Sequence, residues 1–415
     1  MELLFHAFVP GEPRAAGTQQ SVRVCYFLAR NGVRVHLHLA SCFFHDRAHV
    51  LEFFGLEDEP NLLLYLYSIR QGGRLAKLQG SWWHLRRLLT LLLTGEKRRY
   101  DVFFARGHRF PALHVMLRRV LGYKVVFELH EIIYLDRVPE ERLLSETRLL
   151  DWERYSYRHA DGVIAISETL KDLAERKWGR RQTITVIPSG AVTFESRPLP
   201  DDHAIRRVFF VGNCYPFSGV DDLVRAIAEV PEATLRVVGG GGPDDPDRLR
   251  LAALISRLGL GDRVELRGFV EPSRLSLVYA EADVLAIPLG NQVRCKYFMS
   301  PLKLFEYMSA RRPIVASAHP TIREILRDGH NALLTEPGRP GSIAGAIARL
   351  MADPTLARRI AEQAYADAPQ YAMPEKCAAI KHFLEENIVG PAHRARGGSV
   401  RNGREVHQQQ ATKRL

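Results

Sequence analysis

Short apolar runs alternate with amphipathic stretches along most of the chain, and that alternation leaves few folds open. In the first half LLFHAFV, VRVHLHLA, YDVFFARG, YKVVFELH, DGVIAIS and ITVIPSG are apolar or β-branched, and most end at Gly, His or Ser. In the second half RVFFVGN, TLRVVGGGG, RVELRGF, DVLAIPL, RPIVAS and NALLTEP repeat the pattern. Such near-continuous apolar runs are strands buried on both faces of a parallel sheet. Helical spacing fills most gaps, over 21–31, 74–94, 110–121, 142–159, 220–228 and 246–258. Two successive sets of strands with crossovers predict an α/β chain of two doubly wound, Rossmann-like domains facing across a cleft. A length of 415 residues, too great for one ordinary core, agrees.

The pattern breaks at SRPLPDDHAIR, residues 196–206, which reads as the linker. The domains are therefore expected at 1–195 and 207–373, followed by a C-terminal helix over 374–390 that opens on Pro374. From Pro391 onward Arg394, Arg396, Arg401, Arg404, Lys413 and Arg414 face Glu405, so this stretch holds +5 of the net +11. With few apolar residues, 391–415 is expected to be a disordered basic tail. Solvated charge is the ordinary role of such a tail, and no specific nucleic-acid partner is expected.

An apolar fraction of 46% with 25% charged residues fits a soluble globular protein. Five cysteines, Cys25, Cys42, Cys214, Cys295 and Cys377, are odd in number and form no CxxC pair. They read as reduced thiols of a cytosolic compartment, with no structural metal. MELLFHAFVPGEP carries Glu2 and His6 within its apolar run and reads as a first strand rather than a signal peptide. No run approaches the roughly 18 apolar residues that span a bilayer.

The most informative stretch is NQVRCKYFMSPLKLFEYMSARRPIVAS, residues 291–317, which reads as loop, helix, turn and buried strand. Ser300 before Pro301 is a helix-start signal: the hydroxyl can cap backbone N–H groups, and Pro gives up a donor that has no partner there. The helix is predicted over 301–310, with Leu302, Phe305 and Met308 or Ser309 on a buried face. Lys303 and Glu306 fall three apart on a neighbouring face. A lysine in the first turn opposes the helix dipole, unless an anion such as phosphate is shared between its ammonium and the free amides. The same spacing by itself also fits a surface ion pair worth about a few tenths of a kcal/mol.

The run SPLKLFEYMSARRPIVAS resembles the donor-site signature of family 4 glycosyltransferases, retaining enzymes of the GT-B fold, and the likeness extends over about residues 1–388. It implies transfer of a sugar from a nucleoside diphosphate sugar to a glycan or lipid-linked acceptor, with no metal or other cofactor, and a last helix that crosses back to the first domain. It further implies that Glu306 binds the ribose hydroxyls, while the helix start at Ser300, Pro301, Leu302 and Lys303 faces the diphosphate. VFELHEI resembles the family's strand-ending His motif, implying that His130 stands by the transferred sugar and shares the catalytic role with Glu306. Gly17 and Thr18, in a loop before the first helix, resemble the acceptor-side glycine loop, and Arg106 matches a position common in this subgroup.

VFFVGNCYPFSGV resembles the family's donor loop at Gly212, yet Asn213 and Ser218 stand where an Arg and a Lys usually grip the diphosphate. Lys303, with Arg294 or Lys296, is expected to supply the missing charge. The run Gly239–Gly242, with Gly241 in it, is expected to let backbone approach the nucleotide. Phe298 occupies the place of the first of two motif glutamates and is expected beside the sugar ring, altering which donor fits. Ser189, Gly190, Ala191 and Val192 replace a usual Asn-Gly-Val-Asp.

GGRLAKLQGSWWHLRRLLTLLLTGEKRRY puts Leu75, Leu78, Trp82, Leu85 or Leu89, and Leu92 on one side, with Arg74, Lys77, Arg86 and Arg87 toward the other. The simpler reading is a crossover helix packed on the sheet. Peripheral contact with an anionic membrane would suit a lipid-linked acceptor and a cytoplasmic location at the inner face of the membrane. Two other functions compete with sugar transfer. Phe298, Asn213 and Ser218 would suit a catalytically silent binding or scaffold protein, whereas a sugar-nucleotide epimerase of similar fold is opposed by SPLK.

Overall fold

The computed structural model describes residues 1–7, 16–69, 73–106, 109–136, 138–148, 151–200 and 203–390. The tail 391–415 and the side chains of Arg74, Leu75 and Lys77 lie outside what is described.

The first lobe is built on β1 (Glu2–Ala7), β2 (Arg34–Ser41), β3 (Leu62–Ser68), β4 (Val102–Arg106), β5 (Lys124–Leu129), β6 (Gly162–Ala165) and β7 (Ile184–Val186). They form one sheet in the order β3-β2-β1-β4-β5-β6-β7, and every pairing is parallel. The second lobe has β8 (Arg207–Val211), β9 (Thr234–Val238), β10 (Val264–Arg267), β11 (Val284–Ile287), β12 (Ile314–Ser317) and β13 (Leu333–Thr335). Their order, β10-β9-β8-β11-β12-β13, reverses direction between β8 and β11, and the crevice there opens at the strands' carboxyl ends.

Two expectations need correction. β3 was not foreseen: its LLLYLYS lacks β-branched residues, and as an edge strand paired only to β2 it has a half-exposed face. The helix expected over 142–159 begins only at Trp152, because the Asp151 carboxylate accepts from the Arg154 amide and so marks the true start.

The last helix, Met373–Phe383, returns to the first lobe. Met373, Cys377, Ile380 and Phe383 join the same buried cluster as Leu3 and Phe5 of β1 and Val126 of β5. Lys376 is buried beside Glu128, with its ammonium 3.6 Å from one carboxylate oxygen and donating to Pro188 O at 2.9 Å. Glu128 also meets Arg106 at 2.5 Å, so one carboxylate at the end of β5 ties β4 and the last helix together.

Candidate active site

A cavity of about 420 Å3 opens between the lobes, lined from the second lobe by residues just past the ends of β8, β9, β10 and β11 and from the first lobe by Gln19. Gly212, Asn213, Ser218, Arg294, Pro301, Leu302, Lys303 and Glu306 all face it. Eight positions spread over 95 residues of sequence are thus brought onto one surface, chiefly by the parallel packing of β8 and β11.

The helix at its centre runs Leu302–Ser309. Pro301 is its N-cap, with extended backbone (φ −70°, ψ 129°), so Ser300 lies one residue too early to cap it. The Ser300 hydroxyl instead accepts the amide of Ser189, a first-lobe residue, at 3.1 Å. The expected Ser300 cap is therefore absent, and no side chain among the described residues caps these first-turn amides.

Lys303 leans over the Phe210 ring, 3.8 Å from its centroid, and packs on Gly212, where an added Cβ would come within 2.8 Å of the ammonium. Glycine at 212 is required on two counts, since its φ is 139°. Burial lowers the Lys303 pKa to about 8, against the attraction of Cys214 and Glu306.

Glu306 is nearly buried. One carboxylate oxygen accepts from Tyr279 Oη at 2.7 Å and the other stands 3.5 Å from Arg23 Nη1, on the helix Ala16–Arg30 of the first lobe. The next residue, Tyr307, accepts the Val211 amide at 2.8 Å and so fixes the end of β8 under the Gly212 turn. Ser218 Oγ donates to Tyr215 O at 2.6 Å, closing the loop that the missing lysine would have charged.

Three site expectations shift. Arg294 lines the cavity, but its guanidinium is held by Glu131 at 3.0 Å and Asp136 at 2.8 Å, both in the first lobe. Gly241 does not line it: an added Cβ there would strike Asp245 at 2.1 Å, and it is Gly239 that faces the cavity. Phe298, expected beside the sugar ring, is buried in the first lobe's apolar cluster, which also holds Leu135 and Leu143. Lys296, two residues earlier, pairs with Glu140.

The residues expected on the acceptor side, and His130, do not line this cavity. Gly17 and Thr18 are in the first turn of the helix Ala16–Arg30 rather than in a preceding loop, and Gly17 has open space around it. Arg106 donates to Gly17 O at 3.4 Å, which anchors that turn to the end of β4. His130, just past β5, is 3.6 Å from Glu131 and does not line the cavity. Burial and the nearby Arg106 lower its pKa, against the pull of Glu131 and Glu128. Sequence reasoning missed Arg23, Tyr279 and Gln19, whose partners are remote in sequence; only the four-residue spacing of Gln19 and Arg23 hinted at a shared helix face.

Two families match, one for each half: Glycosyltransferase Family 4 over residues 21–193 and Glycosyl transferases group 1 over 205–353. Among curated relatives, an alpha-D-kanosaminyltransferase of Streptomyces kanamyceticus is 27% identical over 60% of this chain and 67% of its own length. A D-inositol 3-phosphate glycosyltransferase of Acidothermus cellulolyticus is 33% identical over 45% of this chain and 44% of its own length. The chain thus spans from under half to about two thirds of these relatives' lengths. Among solved structures, sucrose-phosphate synthase from Thermosynechococcus elongatus superposes with a TM-score of 0.74 at 20% identity, over 96% of this chain and 100% of that one. Anabaena HepE, solved with UDP-glucose, gives 0.66 at 22% identity over 92% and 99%. The chain belongs to the family 4 glycosyltransferases and has their GT-B architecture of two Rossmann-like lobes about a cleft.

Proposed function

We propose that the protein transfers a sugar from a nucleoside diphosphate sugar to a glycan or lipid-linked acceptor, with retention at the anomeric carbon and without a metal ion. The observation that carries this reading is the meeting, in one interlobe cavity, of the uncapped start of Leu302–Ser309, the Lys303 ammonium and the Glu306 carboxylate. A diphosphate laid on that helix start accepts the free amides and sits beside the ammonium. Both are aimed at negative charge that grows as the anomeric C–O bond breaks, and partial burial strengthens them. The ribose hydroxyls then donate to Glu306. HepE, a structural neighbour solved with UDP and with UDP-glucose, supports a nucleotide-sugar donor.

Retention follows if the acceptor hydroxyl enters on the face from which the diphosphate leaves, with a departing phosphate oxygen taking its proton. That route needs no side-chain base. His130 is assigned to the transferred sugar and Arg106, with Gly17 and Thr18, to the acceptor side, where the guanidinium donates to Gly17 O.

A lipid-linked acceptor is favoured by the helix Gly73–Leu93. Its buried face carries His84, Leu88 and Leu91, whereas Leu78, Trp82, Leu85, Leu89 and Leu93 are exposed along the opposite side. The face expected to pack on the sheet is therefore turned outward. Arg86 lies against both Trp82 and Trp83, 5.4 and 5.2 Å from the ring centroids. An apolar stripe edged by cations suits peripheral contact with an anionic membrane, in the cytoplasm. No helix among the described residues is long and apolar enough to cross one.

A second reading, a silent sugar-nucleotide binding protein, is favoured by Asn213 and Ser218 at the positions of the usual cations. One experiment separates the two. The full chain is melted with UDP, GDP and ADP, then incubated in chelator with the matching nucleotide sugars and an acceptor panel, and the product's anomeric configuration is read by NMR. Stabilisation by one nucleotide, with turnover to a retained anomer, is expected. Stabilisation without turnover would favour the silent protein, and no stabilisation by any nucleotide would sink both.

A further inference from the structure

We propose that His6, His84 and His114 form a binding site for a single transition-metal ion, zinc in the first instance, inside the first lobe. The site would be structural and is independent of the proposed sugar transfer. His6 lies on β1, His84 on the helix Gly73–Leu93 and His114 on the helix Arg109–Leu121. All three are buried, and one nitrogen from each lies within 4.8 Å of the other two.

The rings are linked in a row: His6 Nδ1 is 3.3 Å from His84 Nδ1, and His84 Nε2 is 3.3 Å from His114 Nε2. Zinc–nitrogen bonds of about 2.0–2.1 Å on a tetrahedron set ligand nitrogens roughly 3.4 Å apart. His84 can enter such a site through only one of its nitrogens, so the three ligating nitrogens, within 4.8 Å of one another, would have to draw together to about 3.4 Å as the ion binds. His114 is already oriented as metal-bound histidines are: its ring stacks on Phe103 at 3.7 Å between centroids, and its Nδ1 meets Tyr123 Oη at 2.7 Å. That hydroxyl fixes the ring and leaves Nε2 for the ion.

The donor set selects the metal. Three imidazoles with no carboxylate or thiolate suit zinc, cobalt, nickel or copper and not magnesium or calcium. Burial holds all three rings neutral, the ligating form; the His84 pKa falls to about 3. A water or hydroxide completes the shell. The ion would pin both crossover helices to the central strand, the junction from which the exposed Trp82 stripe is displayed.

The test uses the full chain made without a histidine tag, unfolded and refolded with cobalt(II). About one cobalt per chain is expected after gel filtration, with the intense visible bands of tetrahedral coordination and their loss on adding zinc. Refolding in chelator should lower the melting temperature by several degrees. His114→Gln should abolish the bands; if that variant fails to fold, His6→Asn takes its place, and the wild-type spectrum alone remains decisive. A refolded wild-type chain that retains no metal, and melts identically with and without chelator, would overturn the proposal and leave the cluster as a chain of hydrogen bonds ending on Tyr123.

Discussion

Arg23, on the first lobe's opening helix, reaches across the cleft to stand 3.5 Å from Glu306, 283 residues further along the chain. Its Nε is buried with no hydrogen-bond partner, so the pair is loose. A ribose that takes Glu306 must share it with this guanidinium or displace it. Arg23→Gln is expected to tighten nucleoside diphosphate binding by about three- to tenfold in calorimetric titration, and weaker binding would mean that Arg23 touches the nucleotide instead.

Lys303 should carry much of the diphosphate's affinity. Lys303→Met is expected to weaken binding by about 30-fold, or ~2 kcal/mol. The free ammonium titrates at about 8, and a bound anion raises that value. Affinity should therefore be full below about pH 8 and fall above it, by at most about tenfold per pH unit. The methionine variant should lack this fall.

Glu306→Gln distinguishes the ribose role from the phosphate role. Nucleoside diphosphate binding should drop by about tenfold or more, as expected for hydrogen bonds to a charged group. Inorganic pyrophosphate should bind the variant and the parent alike. Equal losses for both ligands would assign Glu306 to the phosphates.

Leu85→Glu with Leu89→Glu places charge on the exposed stripe. Since both side chains are exposed, the melting temperature should hold. Cosedimentation with vesicles of anionic phospholipid should be lost, and retained binding would move the contact elsewhere.

Glu153 carries the clearest pH signature. It is buried in the first turn of Trp152–His159, both its oxygens 3.2 Å from the Ile133 amide, and desolvation pushes its pKa up to about 8. Because the folded state holds this proton more tightly than the unfolded chain, the contribution of Glu153 to stability should be full below about pH 4.5 and decline from there to about pH 8. Glu153→Gln keeps an acceptor for Ile133 and should be more stable by on the order of 1–3 kcal/mol at pH 7.5. Denaturant melts at both ends of that range read the difference.

The architecture was legible because buried parallel strands write themselves as apolar runs: all six strands of the second lobe were foreseen, as was the placement of Lys303 and Glu306 on one helix. What escaped was set by distance. Nothing in SVRVC signals that Arg23 will face a carboxylate in the other lobe, and Phe298, read at a sugar-facing position, packs into the apolar cluster of the opposite lobe. Periodicity found the helix Gly73–Leu93 but could not orient it, since Leu lies on both its faces. Ser300 misled for a local reason, the extended backbone of Pro301 delaying the helix by one residue.

The return of Met373–Phe383 makes the amino-terminal lobe a shared product of both ends of the polypeptide. Residues 1–195 synthesised alone would present bare the hydrophobic surface that Met373, Cys377, Ile380 and Phe383 cover, and would leave Glu128 without Lys376. During translation that lobe must therefore wait, incomplete, until the second sheet has emerged, and chaperone dependence should concentrate in that interval.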